Sequence, residues 1–84
     1  MDPLKLSHKP DGNARHPSIV AVLRHFRYDH LPVNLQEVSG NCASLAYIMA
    51  DLLPEGPDLT CGLRDLLTAK DNFVRAALPA PRGE

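Results

Sequence analysis

The sequence predicts an all-α protein: a short N-terminal helix plus an antiparallel helical hairpin, assembled as a homo-oligomer. Three observations predict it. Apolar residues recur at helical spacing in three separate segments, and no segment alternates convincingly as a strand. The last two segments are joined only by "PEGPD", a link short enough to make them antiparallel neighbours. The structured part is also too small to bury much core alone. Of 84 residues, the opening "MDPLKLSHKPDGNARH" has two of the chain's prolines, a Gly-Asn pair and no apolar period, so residues 1–16 read as a flexible arm. Residues 80–84 read as a C-terminal tail. Roughly 60 residues remain between them, a size at which a single core is marginal without disulfides, metal or partner chains.

The first helix is predicted over residues 17–28. Pro17 and Ser18 supply the start, and Ile19, Val22, Leu23 and Phe26 follow the i, i+3, i+4, i+7 pattern. The second opens at Pro32 and carries Leu35, Val38, Cys42, Leu45, Met49 and Leu52 in steps of three and four. Pro54 and Gly56 end it. Gly40 and Asn41 weaken its interior by about 1 kcal/mol or less each, and a glycine there also allows another backbone to come close. The third helix opens at "GPDLT" with Asp58 as its cap. Leu59, Leu63, Leu66, Leu67, Val74, Ala77 and Leu78 build its apolar face, and the whole three-helix unit spans residues 17–79.

Composition narrows the function. Net charge is −1, without the broad basic surface that tracks a nucleic-acid backbone, so long DNA or RNA is not expected as a partner. No apolar run approaches the roughly 20 residues that span a bilayer, so no membrane partner is expected. Two cysteines, Cys42 and Cys61, fall in different predicted helices and no signal peptide precedes them, which fits a reduced cytoplasmic setting without disulfides. His8, His16, His25 and His30 lack metal-ligand spacing, and no cofactor motif is present. There is no Gly-rich phosphate loop, no zinc-protease motif and no nucleophile elbow, so the chain does not read as an enzyme.

One residue breaks the helical pattern. At about 100° per residue, Arg64, Thr68, Asp71 and Arg75 share the polar side of the third helix, while Lys70 falls between Leu63, Leu66, Leu67 and Val74. One reading is that the stem of Lys70 covers the core while its ammonium pairs with Glu37 or Asp51. The other makes it a phosphate ligand at a subunit seam, because an enclosed ammonium needs a compensating anion. Arg64 and Arg75 likewise read either as a solvated, i, i+4 paired face or as phosphate forks. Tyr28 stands beside Arg24, Arg27 and His30, a combination suited to base stacking with phosphate contact; its alternative is a tyrosine packed on the hairpin. Tyr47 falls opposite the apolar stripe and reads as a second contact between subunits.

The run "HPSIVAVLRHFRYDHLPVNLQEVS", with "LA" at 45–46, "LP" at 53–54, "LRDLL" at 63–67 and "AKDNFVRAAL" at 69–78, resembles the phage hairpin domain shared by type 2 anti-CBASS and type 1 Thoeris anti-defence proteins. The resemblance covers roughly residues 16–79. It implies a cytoplasmic protein of the infected bacterial host that holds cyclic nucleotide immune signals uncleaved. The implied ligands are cyclic dinucleotides, cyclic trinucleotides or cyclic ADP-ribose isomers. The implied assembly is a hexamer, a trimer of dimers with pockets between protomers. By the same resemblance Tyr28 stacks on a base, and Arg64, Lys70 and Arg75 contact phosphates. Gly40 and Asn41 depart from the basic or bulky residues that relatives carry near this point, which bears on one class of pocket. Two other functions stay open on the residues alone: a helical oligomerisation or adaptor module that binds a protein partner, and a small DNA-binding regulator, against which the charge argues.

Overall fold

The computed structural model describes residues 3–78 and is all-α, as the periodicity predicts. In chain order the helices are α1 (Pro3–Ser7), α2 (Pro17–Leu23), α3 (Val33–Leu52) and α4 (Pro57–Ala77), with a 3₁₀ turn at Arg24–Phe26 directly after α2. Among the described residues no strand forms; there is one isolated bridge, His8 to Ala14. No helix among them is long and apolar enough to cross a membrane. The tail predicted at 80–84, and the boundary at 79, lie outside the described residues.

Helix α2 starts with Pro17 in its first turn, where a missing N–H costs nothing. His16 caps it, its Nδ1 accepting from the Ser18 N–H at 3.1 Å. The predicted helix over 17–28 is shorter in the structure. Its last turn tightens to 3₁₀ and Arg27 is extended at ψ 140°, so Tyr28 sits in a loop rather than at a helix end. The loop has its own closure: the Leu31 N–H donates to the Tyr28 carbonyl at 3.1 Å, just before Pro32, which disfavours helical geometry at Leu31. The tightened turn leaves Phe26 fully buried beside Leu23 and Ile19. Each such side chain contributes about 1.5–3 kcal/mol of hydrophobic burial.

Helix α3 meets those bulky residues with a different face from the predicted stripe. Its buried residues are Leu35, Ser39, Cys42, Ala43, Ala46, Tyr47 and Ala50. Val38 and Met49 are half-buried, whereas Leu45, Ile48 and Leu52 are exposed. Volume explains the shift. Ile19, Leu23 and Phe26 fill the space above α3, and only small side chains such as Ala43, Ala46 and Ala50 let α2 lie close. Leu45 and Leu52, displaced from the predicted stripe, form with Ile48 an exposed i, i+3, i+7 strip. At Gly40 the close neighbour is a side chain rather than a backbone: a Cβ there would stand 3.4 Å from the Tyr28 ring.

Helix α4 is capped by Gly56, not by Asp58, which instead lies in the first turn and places its carboxylate near the positive end of the helix. Leu59 and Leu63 are buried, Leu66, Leu67 and Val74 half-buried, and Ala77 and Leu78 exposed. The apolar face is therefore covered over its first half and progressively uncovered along its second.

The stretch read as an arm folds back on the hairpin between residues 3 and 16. The Arg15 N–H donates to the Ser7 carbonyl, and Gly12 at φ +90° makes the turn between them, a conformation glycine reaches without strain. The Arg15 side chain is fully enclosed. Its Nη2 lies 2.6 Å from Asp51 Oδ1, and its Nε donates to the Lys5 carbonyl at 3.2 Å. Lys5 Nζ and the Arg15 guanidinium stand 4.8 and 5.6 Å from the centre of the Tyr47 ring. Tyr47, expected as a surface between subunits, is thus covered by its own chain.

Candidate functional site: a cationic cleft

The uncovered end of α4 meets the loop that follows the 3₁₀ turn, and an open cleft of about 620 Å³ lies between them. Three elements build it. The 3₁₀ turn supplies Arg24 and His25, and the extended loop supplies Arg27, His30 and Leu31. Lys70, Asp71, Val74 and Arg75 come from α4, spaced at i, i+1, i+4 and i+5 so that they share one side. Ser39 of α3 also lines it. Three arginines, one lysine and two imidazoles thus line the recess with one carboxylate, Asp71.

Lys70 has the geometry of a cation closing a helix end. Its side chain is 15% exposed, and Nζ donates to the His25 carbonyl at 3.2 Å. The last carbonyls of a helical segment lack internal partners and carry negative partial charge, so an ammonium is favourable there. Nζ also lies 3.4 Å from Asp71 Oδ1. Neither acid named from sequence fills that role: Asp51 is committed to Arg15, and Glu37 is exposed on α3. Arg27 forks onto Asp29 at 3.3 and 3.4 Å, and that hydrogen bond holds the Asp29 carboxyl below its ordinary range. Arg75 is oriented by Asn72, whose Oδ1 accepts from its Nη2 at 2.6 Å.

Of the six residues predicted to bind ligand, Arg27, His30, Lys70 and Arg75 line this cleft. Arg64 does not. It lines a separate cavity of about 450 Å³ with His16, Glu55 and Cys61, near the start of α4. Arg64 and Arg75 share an azimuth on the helix but stand about 16 Å apart along its axis, since each residue rises 1.5 Å. Tyr28 also lies outside the cleft lining: the ring is half-buried, with Cε2, Cδ2 and Cζ 3.4–3.6 Å from the position of a Cβ on Gly40. The glycine gives the ring its seat.

His25 and Ser39 are cleft residues that the sequence did not single out, and Arg24 was named only as a neighbour of Tyr28. Arg24 and His25 follow the last apolar position of α2 and look like solvated side chains. Ser39 did carry a signal, because it precedes Ala43, Ala46 and Ala50 at i+4, i+7 and i+11, which places a hydroxyl on the small-residue face.

Among the described residues no group of three or more His, Cys, Asp or Glu side chains stands where it could hold a metal ion. Cys42 is buried and Cys61 exposed, both as free thiols. Burial pushes the Cys42 thiol up, partly offset by the nearby charge of Lys70.

The fold and the cleft together define a small all-α protein with a cationic, solvent-open recess at the end of a helical hairpin. Comparison of the chain with protein-family models, curated proteins and solved structures gives no match.

Proposed function

We propose that the chain is a non-enzymatic binding protein that takes up a phosphate-bearing cyclic nucleotide in this cleft and holds it intact. The observation that carries the proposal is the convergence of Arg24, Arg27, Lys70 and Arg75 on one recess, against only two nearby carboxylates, Asp71 in its lining and Asp29 on Arg27. Guanidinium and ammonium groups there offer charge-assisted, partly bidentate bonds to phosphodiester oxygens. Its volume of about 620 Å³ falls within the roughly 300–1,000 Å³ of small-molecule sites. Long nucleic acid is a poorer occupant, because the chain has net charge −1 and no broad basic surface beyond this recess.

The resemblance to the anti-defence hairpin domain supplies the ligand class: cyclic dinucleotides, cyclic trinucleotides or cyclic ADP-ribose isomers. On this reading a phage makes the protein in the bacterial cytoplasm, where it withdraws the signal from its effector. Competition with an effector calls for nanomolar affinity, about −12 kcal/mol. Excluding water strengthens charge-assisted contacts, and a closed homo-oligomer, a hexamer on the resemblance, would enclose the open cleft. The exposed strip of Leu45, Ile48 and Leu52, with Phe73 on α4, supports assembly. In such an assembly the free side of the Tyr28 ring and Arg64 would be contributed from outside the cleft of one chain.

Native mass spectrometry with cyclic di-AMP, cyclic tri-AMP and cyclic ADP-ribose tests the proposal. Uptake of intact nucleotide in fixed stoichiometry, lost on Lys70→Met with helicity retained, is the expected result. Protein that takes up none of the three refutes it for these ligands. The same apolar strip favours a second reading, an adaptor that seats a partner's helix; an adaptor has no reason to retain nucleotide.

A further inference from the structure

One hydroxyl in the cleft has no partner. Ser39 is fully buried, and among the described residues its Oγ makes no hydrogen bond, although the residue lines the cleft. A helical serine or threonine commonly satisfies itself by donating to the carbonyl four residues back. Thr60 and Thr68 of α4 do so, to the carbonyls of Gly56 at 3.2 Å and Arg64 at 3.3 Å. Ser39 does not. A buried, unpaired hydroxyl is destabilising, and alanine at 39 would extend the Ala43, Ala46 and Ala50 face with no orphaned group.

We infer that the Ser39 hydroxyl, enclosed just beneath the cleft surface in the ligand-free chain, is a ligand-reading donor that a bound ligand uncovers and that acts with Lys70 on one phosphodiester group. The inference rests on the proposed uptake of a cyclic nucleotide and names the part of that ligand which reaches deepest. The neighbouring chemistry selects it. Arg24 and Lys70 only donate hydrogen bonds, and Lys70 has two acceptors for its three N–H groups, the His25 carbonyl and Asp71. The Ser39 hydroxyl can donate or accept, so the selection falls to the cations: a group seated against Lys70 and Arg24 must accept, and Ser39 then donates to it. A non-bridging phosphate oxygen accepts only and carries charge, whereas a ribose hydroxyl or a base amide brings donors that these cations cannot accept.

The test is calorimetric titration of cyclic di-AMP, cyclic tri-AMP and cyclic ADP-ribose into the full chain and its Ser39→Ala, Lys70→Met and doubly substituted variants. Ser39→Ala is expected to weaken binding of the accepted ligand about tenfold or more, the usual scale for a hydrogen bond to a charged group. Its ligand-free melting temperature should match or exceed that of the parent, because an orphaned group has been removed. The double variant should lose less than the product of the two single losses, since both residues act on one phosphate. If the parent binds and Ser39→Ala binds equally well, the inference is overturned while the proposed function stands. A Ser39→Ala variant that melts lower, with losses that simply multiply, assigns Ser39 a structural role and overturns it too. A parent that binds none of the three ligands overturns both.

Discussion

Replacing Asp51 with alanine should destabilise the protein more than replacing its partner, Arg15, with methionine. The Arg15 side chain is wholly enclosed while that of Asp51 is 27% exposed, so the two substitutions strand very different groups. Without Asp51 the guanidinium keeps its charge, loses its 2.6 Å contact and has only the Lys5 carbonyl and the Tyr47 ring beside it. Stranding one member of a fully buried pair costs about 3–5 kcal/mol. The partial exposure of Asp51 screens part of the attraction, which brings the expected loss to about 2–3 kcal/mol. A ceiling also applies, because Arg15 regains water if residues 3–16 lift off α3, and the loss cannot exceed the free energy that holds them there. Arg15→Met removes the charge with its need for a partner, keeps apolar contact with Tyr47 and leaves Asp51 free to solvate, so about 1 kcal/mol is expected. Urea unfolding read by circular dichroism gives both values. A lower urea slope in the Asp51 variant alone would show that the segment has already released, since less surface is then exposed on unfolding. An Asp51→Ala loss below about 0.5 kcal/mol, within the range of ordinary surface substitutions, or a larger loss for Arg15→Met, would refute the reasoning.

Gly62→Ala should raise stability by up to about 1 kcal/mol in thermal melts, because the site is inside α4 and a Cβ there meets nothing within 4 Å. Under native conditions Ellman's reagent should modify Cys61 promptly and Cys42 only on unfolding, following their exposure. The raised Cys42 thiol gives a signed pH effect: above the ordinary value of 9.0 the unfolded chain releases that proton before the folded chain does, so stability falls as pH rises through this window. Cys42→Ala should flatten that limb in urea unfolding at pH 8 to 10, a range of order one unit either side of the ordinary value. Leu45→Glu combined with Ile48→Glu should leave the fold of the single chain intact while light scattering reports loss of the assembled mass; unchanged mass in an assembled protein places the seam elsewhere.

Helices α2, α3 and α4 were legible in the sequence; α1 was not, and the buried face of α3 was legible only at Leu35 and Cys42. Leu35, Val38, Cys42, Leu45, Met49 and Leu52 outrank alanines in hydrophobicity, so periodicity selected them. The deciding quantity was the room that Ile19, Leu23 and Phe26 occupy opposite, which belongs to another segment. Residues 3–16 show the same limit in a polar form, since the pairing of Arg15 with Asp51 joins residues 36 apart without any local pattern. Lys70 was conspicuous because a single helix betrayed it. Its main acceptor was hidden: the carbonyl of His25 is backbone, and every residue carries one. Arg64 was grouped with Arg75 because a helical wheel keeps angle and discards height.

The contact between Lys70 and the His25 carbonyl joins positions 45 apart, so the recess exists only while the far end of α4 stays docked on the turn after α2. An anion bridging Arg24 and Lys70 would act as a removable cross-link between those two parts of the chain. At a hundred times its dissociation constant such a ligand adds about 2.7 kcal/mol against unfolding, a large share of what a small domain possesses. Loaded molecules would then open rarely and resist proteases, while empty ones would open and be cleared. Lifetime would in this way track how much of such an anion the protein holds.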